Sequence, residues 1–347
     1  MHPKRIVIAG GSGFIGCALA REFSARDFEV VVLTRSPRQR TDRIREVQWD
    51  GEQAGAWISF LDGADAVINL AGKSINCPHT PANLRAIIES RVNSVNAIAA
   101  AIGGDDSAFG SKTHAFPLIR PADTFSPIGG EGRDEGALSH NPAAFTLQTP
   151  PRVWVQASAT GFYGDTGDVA CDETAAVGND TLANICHQWE AAFTAANVPQ
   201  TRKVVLRIGF VLGRDGGALP VLSKMTKFFL GGAAGNGRQY LSWIHLADLA
   251  RMFATAVEDE QLSGTFNTVA PGVVTNAEFM RELRRALHRP WSPPAPAFAV
   301  KLGARLMGSE GSLALASQRC VPKRFLEAGF RFRFAGLAPA LNDLCSK

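Results

Sequence analysis

A serine and a tyrosine stand five residues apart in the segment "ASATGFYGD", residues 157–165, directly after an apolar run. The hydroxyl of Ser158 could hydrogen-bond a substrate oxygen, and the phenol of Tyr163 could transfer a proton. A phenol with a pKa of about 10 needs a neighbouring cation to exchange protons near neutral pH. The pair therefore predicts proton transfer only if the fold places a cation beside the phenol.

Apolar runs alternate with amphipathic helical patterns through most of the chain, which predicts an α/β fold with a parallel sheet covered on both faces. Helices are predicted at "FIGCALAREFSARD" and "LRAIIESRVNSVNAIAAAI". The predicted strands are Arg5 to Ala9, Glu29 to Leu33, Ala66 to Ala71, Val153 to Ala157, Val204 to Ile208 and Thr265 to Val269.

Two domains are expected. Residues 1–273 form the sheet domain, in which 103–150 lose both periodicities and are interpreted as a partly disordered surface insertion that could in part cap the active site. Residues 274–347 form a small, mostly helical C-terminal domain, whose first helix begins with Asn276 as its cap. The proline-rich "RPWSPPAPAF" then ends that helix.

The segment "IVIAGGSGFIG" places Gly10, Gly13 and Gly16 between the first strand and the first helix. Such glycines permit a tight turn and a close approach to a pyrophosphate, which then lies at the helix N-terminus. The strand-turn-helix context supports a dinucleotide site.

At the end of the second strand, "VVLTRSPRQR" offers Thr34, Arg35 and Ser36 where an NAD site usually has a carboxylate, and Arg38 lies just beyond. A guanidinium can bind a 2′-phosphate through charge-assisted hydrogen bonds. The segment therefore favours NADP(H) over NAD(H), with a solvated basic loop of no cofactor role as the alternative.

The motifs "GGSGFIG", "DAVINLAG", "QASATGFYGD", "VVLRIGFVLGRDGGALP" and "SWIHLADLARM" resemble the extended short-chain dehydrogenase/reductase superfamily, which includes sugar-nucleotide epimerases and dehydratases. The segments "GNGRQYLSWIH", "VTNAEFMRELRRALHRP" and "VPKRFLEAGFRFRF" resemble, more narrowly, its atypical epimerase-family branch with a C-terminal domain of unknown function. The resemblance implies a Rossmann-like, doubly wound sheet, an NADP-type cofactor and a cleft between the sheet and the C-terminal lobe.

The resemblance also implies residue roles. Ser158 matches the catalytic serine, and Arg207 and Asp248 match positions that are usually structural. The pyrophosphate loop runs from Gly10 to Gly16, and a further turn walls the adenine and ribose side. The implied cofactor-binding residues are thus Gly10, Ser12, Gly13, Phe14, Ile15 and Gly16 of the loop, with Leu70, Ala71 and Gly72 of the turn.

Active members of the superfamily carry a Tyr-x-x-x-Lys pair on the helix after the serine, and this chain has none. On "TLANICHQWEAAF", the more natural register puts Leu182 and Cys186 in the two slots, and a shifted register puts Cys186 and Glu190 there. Neither register supplies a tyrosine and a lysine, so neither restores the proton transfer of active members. Tyr163 is a catalytic candidate, although a structural, cleft-lining role is the stronger alternative. His187 as a base and Cys186 as a thiolate are weaker candidates.

Three residues near the C-terminal lobe are further candidates. Trp243 and His245 could line the cleft, although core packing is an equal alternative for Trp243. Arg238, between glycines and a strand, could contact an anionic group of a substrate.

Composition limits the classes of partner. The net charge of +4 over 347 residues is small, and the basic residues of the chain are mostly scattered. Nucleic acid is therefore not expected as a partner. The six dispersed cysteines suit neither a metal site nor a disulfide framework, and no leader or membrane-spanning segment is expected. A cytoplasmic protein is therefore expected.

Two functions remain open. The first is an NADP(H)-dependent oxidoreductase or sugar-nucleotide epimerase-like enzyme that acts on a small carbonyl or sugar-nucleotide substrate with Ser158 and Tyr163. The second is a regulatory or redox-sensing protein that binds NADP(H) without catalysis. A serine hydrolase is disfavoured because no G-x-S-x-G segment occurs.

Overall fold

The computed structural model describes residues 4–104, 147–306, 310–311 and 315–346, and the structural statements below refer to these residues. The predicted insertion at 103–150 falls mostly on residues 105–146, which lie outside the described part. Its interpretation as a partly disordered segment that could cap the site therefore stays a prediction.

Seven parallel strands form the central sheet: β1 (Arg5–Ala9), β2 (Glu29–Thr34), β3 (Ile44–Gln48), β4 (Ala66–Asn69), β5 (Val153–Ala159), β6 (Arg202–Ile208) and β10 (Gly264–Thr268). Their order across the sheet is β10-β6-β5-β4-β1-β2-β3. The chain adds strands outward from β1 to β3 and then returns to β4 on the other side of β1, which makes the carboxyl ends of β1 and β4 a topological switch point. The doubly wound Rossmann-like fold expected from the sequence is confirmed.

Helices cover both faces of the sheet. On one face, α1 (Phe14–Ser24) and α5 (Leu246–Glu258) bury residues such as Phe23 and Phe253 against the strands. On the other, α2 (Pro81–Gly103) and α3 (Thr181–Ala195) bury Ile98 and Phe193. Because both faces are covered, the central strands are continuous apolar runs, and this explains why they could be located in the sequence.

The predicted strand ends agree with the structure to within two residues, but β3 was missed. Its sequence "IREVQ" alternates charged and apolar residues, and it lies at the sheet edge, where it is only partly buried. An edge strand tolerates charged side chains and so lacks the apolar signature of the central ones.

Short strands and helices complete the chain: β7 (Phe210–Leu212), α4 (Leu219–Lys227), β8 (Tyr240–Leu241), β9 (Trp243–His245), β11 (Val274–Thr275), α6 (Asn276–Ala286), α7 (Ala297–Leu306), α8 (Lys323–Glu327) and α9 (Leu337–Cys345). The predicted Asn276 cap is wrong by one residue: Thr275 caps α6 in a capping box with Glu278. Side chains of α6 and α9 join the core of the α1 and α5 face. The division at residue 273 stays a prediction.

Candidate functional site

The turn between β1 and α1 is built around Gly10, whose φ of +74° lies in the left-handed region. A Cβ atom at this position would lie 3.0 Å from the backbone nitrogen of Ala71 and the carbonyl carbon of Leu70. The absence of a side chain thus lets the turn after β4 pack directly on the loop. The structure brings together the two segments that the sequence predicted as cofactor-binding.

The N-terminus of α1 is open to an anion. Its N-cap residue, Gly13, offers no side-chain hydrogen bond, and the first turn contains no acidic side chain. The first backbone N–H groups of the helix, with the positive end of its dipole, are therefore available to a phosphate. Ser12 and Gly13 are exposed there, and Phe14 and Ile15 are half-buried.

Two glycines allow other segments to pack closely around the N-terminus of α1. A Cβ atom on Gly16 would collide with the backbone of Gly11, so a glycine is needed for the helix to start against the loop. The ring of Phe14 fills the space beside Gly216, in the segment 213–217, where a Cβ atom would also collide. The phosphate loop is thus in contact with a segment that follows β7.

The end of β2 presents a free cation beside the loop. Ser12 Oγ and Thr34 Oγ1 lie 3.0 Å apart, and Arg35 and Ser36 are exposed. Within the described part of the chain, the Arg35 guanidinium forms no ion pair. The nearby carboxylates of Asp42 and Glu46 are instead bound by Arg40 at 2.5 and 3.2 Å. These residues fit a dinucleotide with a 2′-phosphate.

Ser158 lies at the carboxyl end of β5 and is tied to a buried carboxylate. Its hydroxyl donates to Glu190 Oε1 at 2.5 Å, and the serine is 3% exposed. Arg207 of β6 donates to both oxygens of that carboxylate, from Nε at 2.9 Å and from Nη2 at 2.8 Å. Glu190, one of the two residues of the shifted register on α3, is therefore the one that contacts the serine.

Tyr163 belongs to the same polar network but does not hydrogen-bond Ser158. Its hydroxyl accepts from Arg207 Nη1 at 2.9 Å and donates to Asn267 Oδ1 at 2.8 Å. Burial raises the pKa of Tyr163 well above its ordinary value, although Arg207 acts in the opposite direction. A phenol in this environment is a poor proton donor or acceptor at neutral pH.

Arg207 is the centre of this network. Burial lowers the pKa of Arg207, but the hydrogen bonds and the charge of Glu190 outweigh burial, so the net effect raises the pKa. Its guanidinium also lies 3.4 Å from the ring centroid of Phe162, a cation–π contact. These contacts agree with the expectation that Arg207 is structural.

The weaker candidates on α3 fit catalysis poorly. Burial, followed by the charge of Glu190, raises the pKa of Cys186 to about 12, so its thiol is neutral at physiological pH. His187 is exposed. Leu182 is half-buried and, like Cys186, packs beside Gly161.

Trp243 and His245, expected as cleft residues, are core residues. Trp243 is fully buried, and its Nε1 donates to the carbonyl of Gly272 at 2.7 Å. His245 Nδ1 caps α5 by accepting from the Ala247 backbone, and its ring stacks on Phe334 at 3.9 Å. The core-packing alternative is therefore the one that the structure shows for Trp243, and His245, which is 4% exposed, does not open to a cleft as expected.

Asp248 is structural, as expected. It is fully buried and accepts hydrogen bonds from the backbone nitrogens of Arg333 and Phe334. It also forms a salt bridge with Arg251 at 2.8 Å.

Arg238 is exposed at a cavity of about 350 Å³, which is also lined by Asp168, Gln239 and Ser317. Its backbone nitrogen donates to Asn236, and no ion pair of its guanidinium occurs in the described ranges. The structure thus leaves this cation available to an anionic group.

Sequence reasoning missed the roles of Glu190 and Asn267. The available signal was a carboxylate on the apolar face of α3, because a buried carboxylate needs a cationic partner. Which cation would pair with it was not visible, since Arg207 lies on a different element. Asn267 offered no signal of its own.

Neither a metal-binding cluster nor a membrane-spanning helix is found among the residues that the structure describes. No group of three or more histidine, cysteine or acidic side chains is arranged to hold a metal ion. No helix among them combines the length and the apolarity that a membrane span requires.

Comparisons with known proteins show which proteins this chain resembles. The bovine (Bos taurus) "Epimerase family protein SDR39U1" is 33% identical over 98% of this chain and 99% of its own length. A crystal structure of human SDR39U1 with NADPH superposes with a TM-score of 0.76 at 28% identity and covers 98% of this chain and 99% of its own. The "nucleoside-diphosphate sugar epimerase" from Corynebacterium glutamicum has a TM-score of 0.69 at 27% identity, over 99% of this chain and 58% of its own.

Two parts of the chain match two different protein families. Residues 295–344 match a domain of unknown function, DUF1731. Residues 6–268, which contain the glycine loop, Ser158 and its network, match the NAD dependent epimerase/dehydratase family. The resemblance to an atypical epimerase branch is therefore confirmed, and the chain belongs to the NAD dependent epimerase/dehydratase family.

Proposed function

We propose that this chain binds NADP(H) and acts as an oxidoreductase or epimerase-like enzyme on a small carbonyl or sugar-nucleotide substrate. The observation that carries the proposal is the exposed Arg35, which directly follows Thr34 at the end of β2, where Thr34 Oγ1 lies 3.0 Å from Ser12 Oγ before the open N-terminus of α1. The human relative crystallised with NADPH supports the cofactor, and the Corynebacterium relative supports the substrate class.

The cofactor, when bound, supplies or accepts a hydride. Ser158 donates its own proton to Glu190, so the free lone pairs of its Oγ face a hydrogen-bond donor, such as a substrate hydroxyl. As that alcohol becomes a carbonyl, its proton passes to Ser158 Oγ while the serine proton passes to Glu190 Oε1. Reduction of the carbonyl reverses both transfers.

The second candidate is an NADP(H)-binding regulatory or redox-sensing protein without turnover. The burial of Ser158 and Tyr163, which are 3% and 4% exposed, favours it, because a substrate needs access to the serine. The catalytic role of Tyr163 that the sequence suggested is tested by substitution. A cytoplasmic location also remains a proposal, supported by six cysteines that are all unpaired thiols.

The cofactor assignment is tested by thermal unfolding with NADPH and with NADH. A ligand that binds only the folded chain raises the melting temperature, so NADPH should give the larger shift. Arg35→Ala should reduce the NADPH shift toward the NADH value. Arg43→Ala removes an exposed arginine that only approaches Asp27 at 3.8 Å, and should preserve the difference. Equal shifts for the two cofactors in the unmodified protein would overturn the Arg35 assignment.

A further inference from the structure

A cavity of about 600 Å³ lies between α4, the residues that follow α6 and the end of α9. Neither the glycine loop nor the network around Ser158 contributes to its lining. Its volume is within the range of sites that bind small organic molecules. The cofactor and the proposed reaction leave this cavity unexplained.

The cavity is positively charged. Arg214, Lys224, Lys227 and Arg289 line it, and all four are exposed. No acidic side chain is found among the lining residues that the structure describes. The Arg214 guanidinium donates to the backbone carbonyl of Asp343 at 2.6 Å, which leaves its charge uncompensated. Four cations around one concave surface raise the local concentration of anions.

The same cavity has an apolar wall. Leu219 and Leu344, both almost fully buried, line it together with Leu287. Phe228 also lines it and is 68% exposed, and the Arg289 guanidinium lies 5.6 Å from the ring centroid of the neighbouring Phe229. An inorganic ion would leave this apolar surface in contact with water, whereas an organic body would bury it.

We propose that this cavity binds a small molecule that combines a phosphate group with an apolar body. The cations favour a dianionic group, and the leucines and Phe228 favour an acyl chain or a base attached to it. A lipid phosphate and a nucleotide share this chemistry. The lining of the cavity contains no residue of the glycine loop or of the network around Ser158, so this proposal does not depend on the proposed function.

The test uses the full chain saturated with NADPH, so that the cofactor site cannot take up the probes. Calorimetric titrations use dihexanoylphosphatidic acid below its micelle concentration, adenosine 5′-diphosphate and inorganic phosphate. We expect one organic phosphate to bind, and Lys224→Glu/Lys227→Glu to weaken that binding by about tenfold or more. The control Lys301→Glu/Arg331→Glu makes the same change of net charge at exposed positions outside the cavity.

Binding of the lipid or of the nucleotide, lost only in the cavity variant, supports the proposal and identifies the source of the phosphate. Three results would overturn it: no binding by either organic probe, an equal loss in both variants, or inorganic phosphate binding as tightly as the organic probes. An unchanged melting-temperature shift with NADPH in the cavity variant verifies that the cofactor site and the fold are intact.

Discussion

Ser158 and Tyr163 are neighbours in one network, but their surroundings give them different capacities. The serine hydroxyl donates to the carboxylate of Glu190, and the tyrosine hydroxyl lies between Arg207 and Asn267. Burial raises the pKa of Tyr163, which opposes proton transfer at neutral pH. At the scale of single residues, Ser158 is therefore the stronger candidate for contact with a substrate.

Substitution of each residue separates these roles. In a screen of alcohols, carbonyl compounds and sugar nucleotides followed by NADPH absorbance, Ser158→Ala should lower turnover by about 10²–10⁴-fold, because it removes the group that receives the substrate proton. Tyr163→Phe should lower the free energy of unfolding by about 1–3 kcal/mol, since Arg207 and Asn267 lose a buried partner, and should leave turnover unchanged.

Both variants should retain the NADPH-induced melting shift. Undiminished turnover in Ser158→Ala would remove the serine from the mechanism. A loss of turnover in Tyr163→Phe without a loss of stability would make Tyr163 a catalytic residue.

At the scale of elements, Glu190 and Arg207 join α3 to the central sheet. The guanidinium donates to both oxygens of the carboxylate, and both residues are buried. Burial of a lone charge costs several kcal/mol, and a well-formed pair with further hydrogen bonds offsets that cost. The pair therefore acts as a contact between α3 and β6 whose loss would leave a buried charge uncompensated.

Glu190→Gln should therefore destabilise the protein by about 3–5 kcal/mol, because it leaves Arg207 buried without its carboxylate. Urea unfolding would measure this change. Glu89→Gln, at an exposed position on α2, serves as the matched control and should change stability by less than about 0.5 kcal/mol. Similar unfolding midpoints for the two variants would contradict the structural role of the pair.

The parts of the site that were predictable are those encoded locally. The positions of Gly10 in a turn and of Arg35 after a strand could be predicted because a turn and a strand end are defined by neighbouring residues. The contact between Glu190 and Arg207 could not, because it depends on the register of α3 against β6. The sequence could not decide between cleft and core for Trp243 and His245 for a related reason: the burial of a polar aromatic side chain is set by what packs over it. The strand β3 was missed because an edge strand has no continuous apolar run.

At the scale of the whole molecule, the buried thiols make the free energy of unfolding decrease at alkaline pH. Burial raises the pKa of both Cys186 and Cys320 to about 12, from an ordinary value of 9.0. In the unfolded chain these thiols ionise above about pH 9, and in the folded chain only near pH 12. Their contribution to stability is therefore complete below pH 9 and is lost as the pH rises toward 12.

Urea unfolding between pH 8 and 11.5 should show a stability that falls by up to about 1.4 kcal/mol per pH unit for each buried thiol. Cys186→Ala/Cys320→Ala should flatten this slope, whatever its effect at pH 8. Cys77→Ala, at a half-exposed position, provides the comparison and should keep the slope of the unmodified chain. An identical slope in the double variant would show that neither thiol ionises on unfolding in this range.

The segment 213–217 has a consequence for the molecule as a whole. It packs against Phe14 at the phosphate loop, and it also carries Arg214, which lines the cationic cavity. The two sites thus share one stretch of backbone. Thermodynamic linkage requires that any free energy of coupling through this stretch be reciprocal: the factor by which NADP(H) changes the affinity of the cavity for its ligand equals the factor by which that ligand changes the affinity for NADP(H).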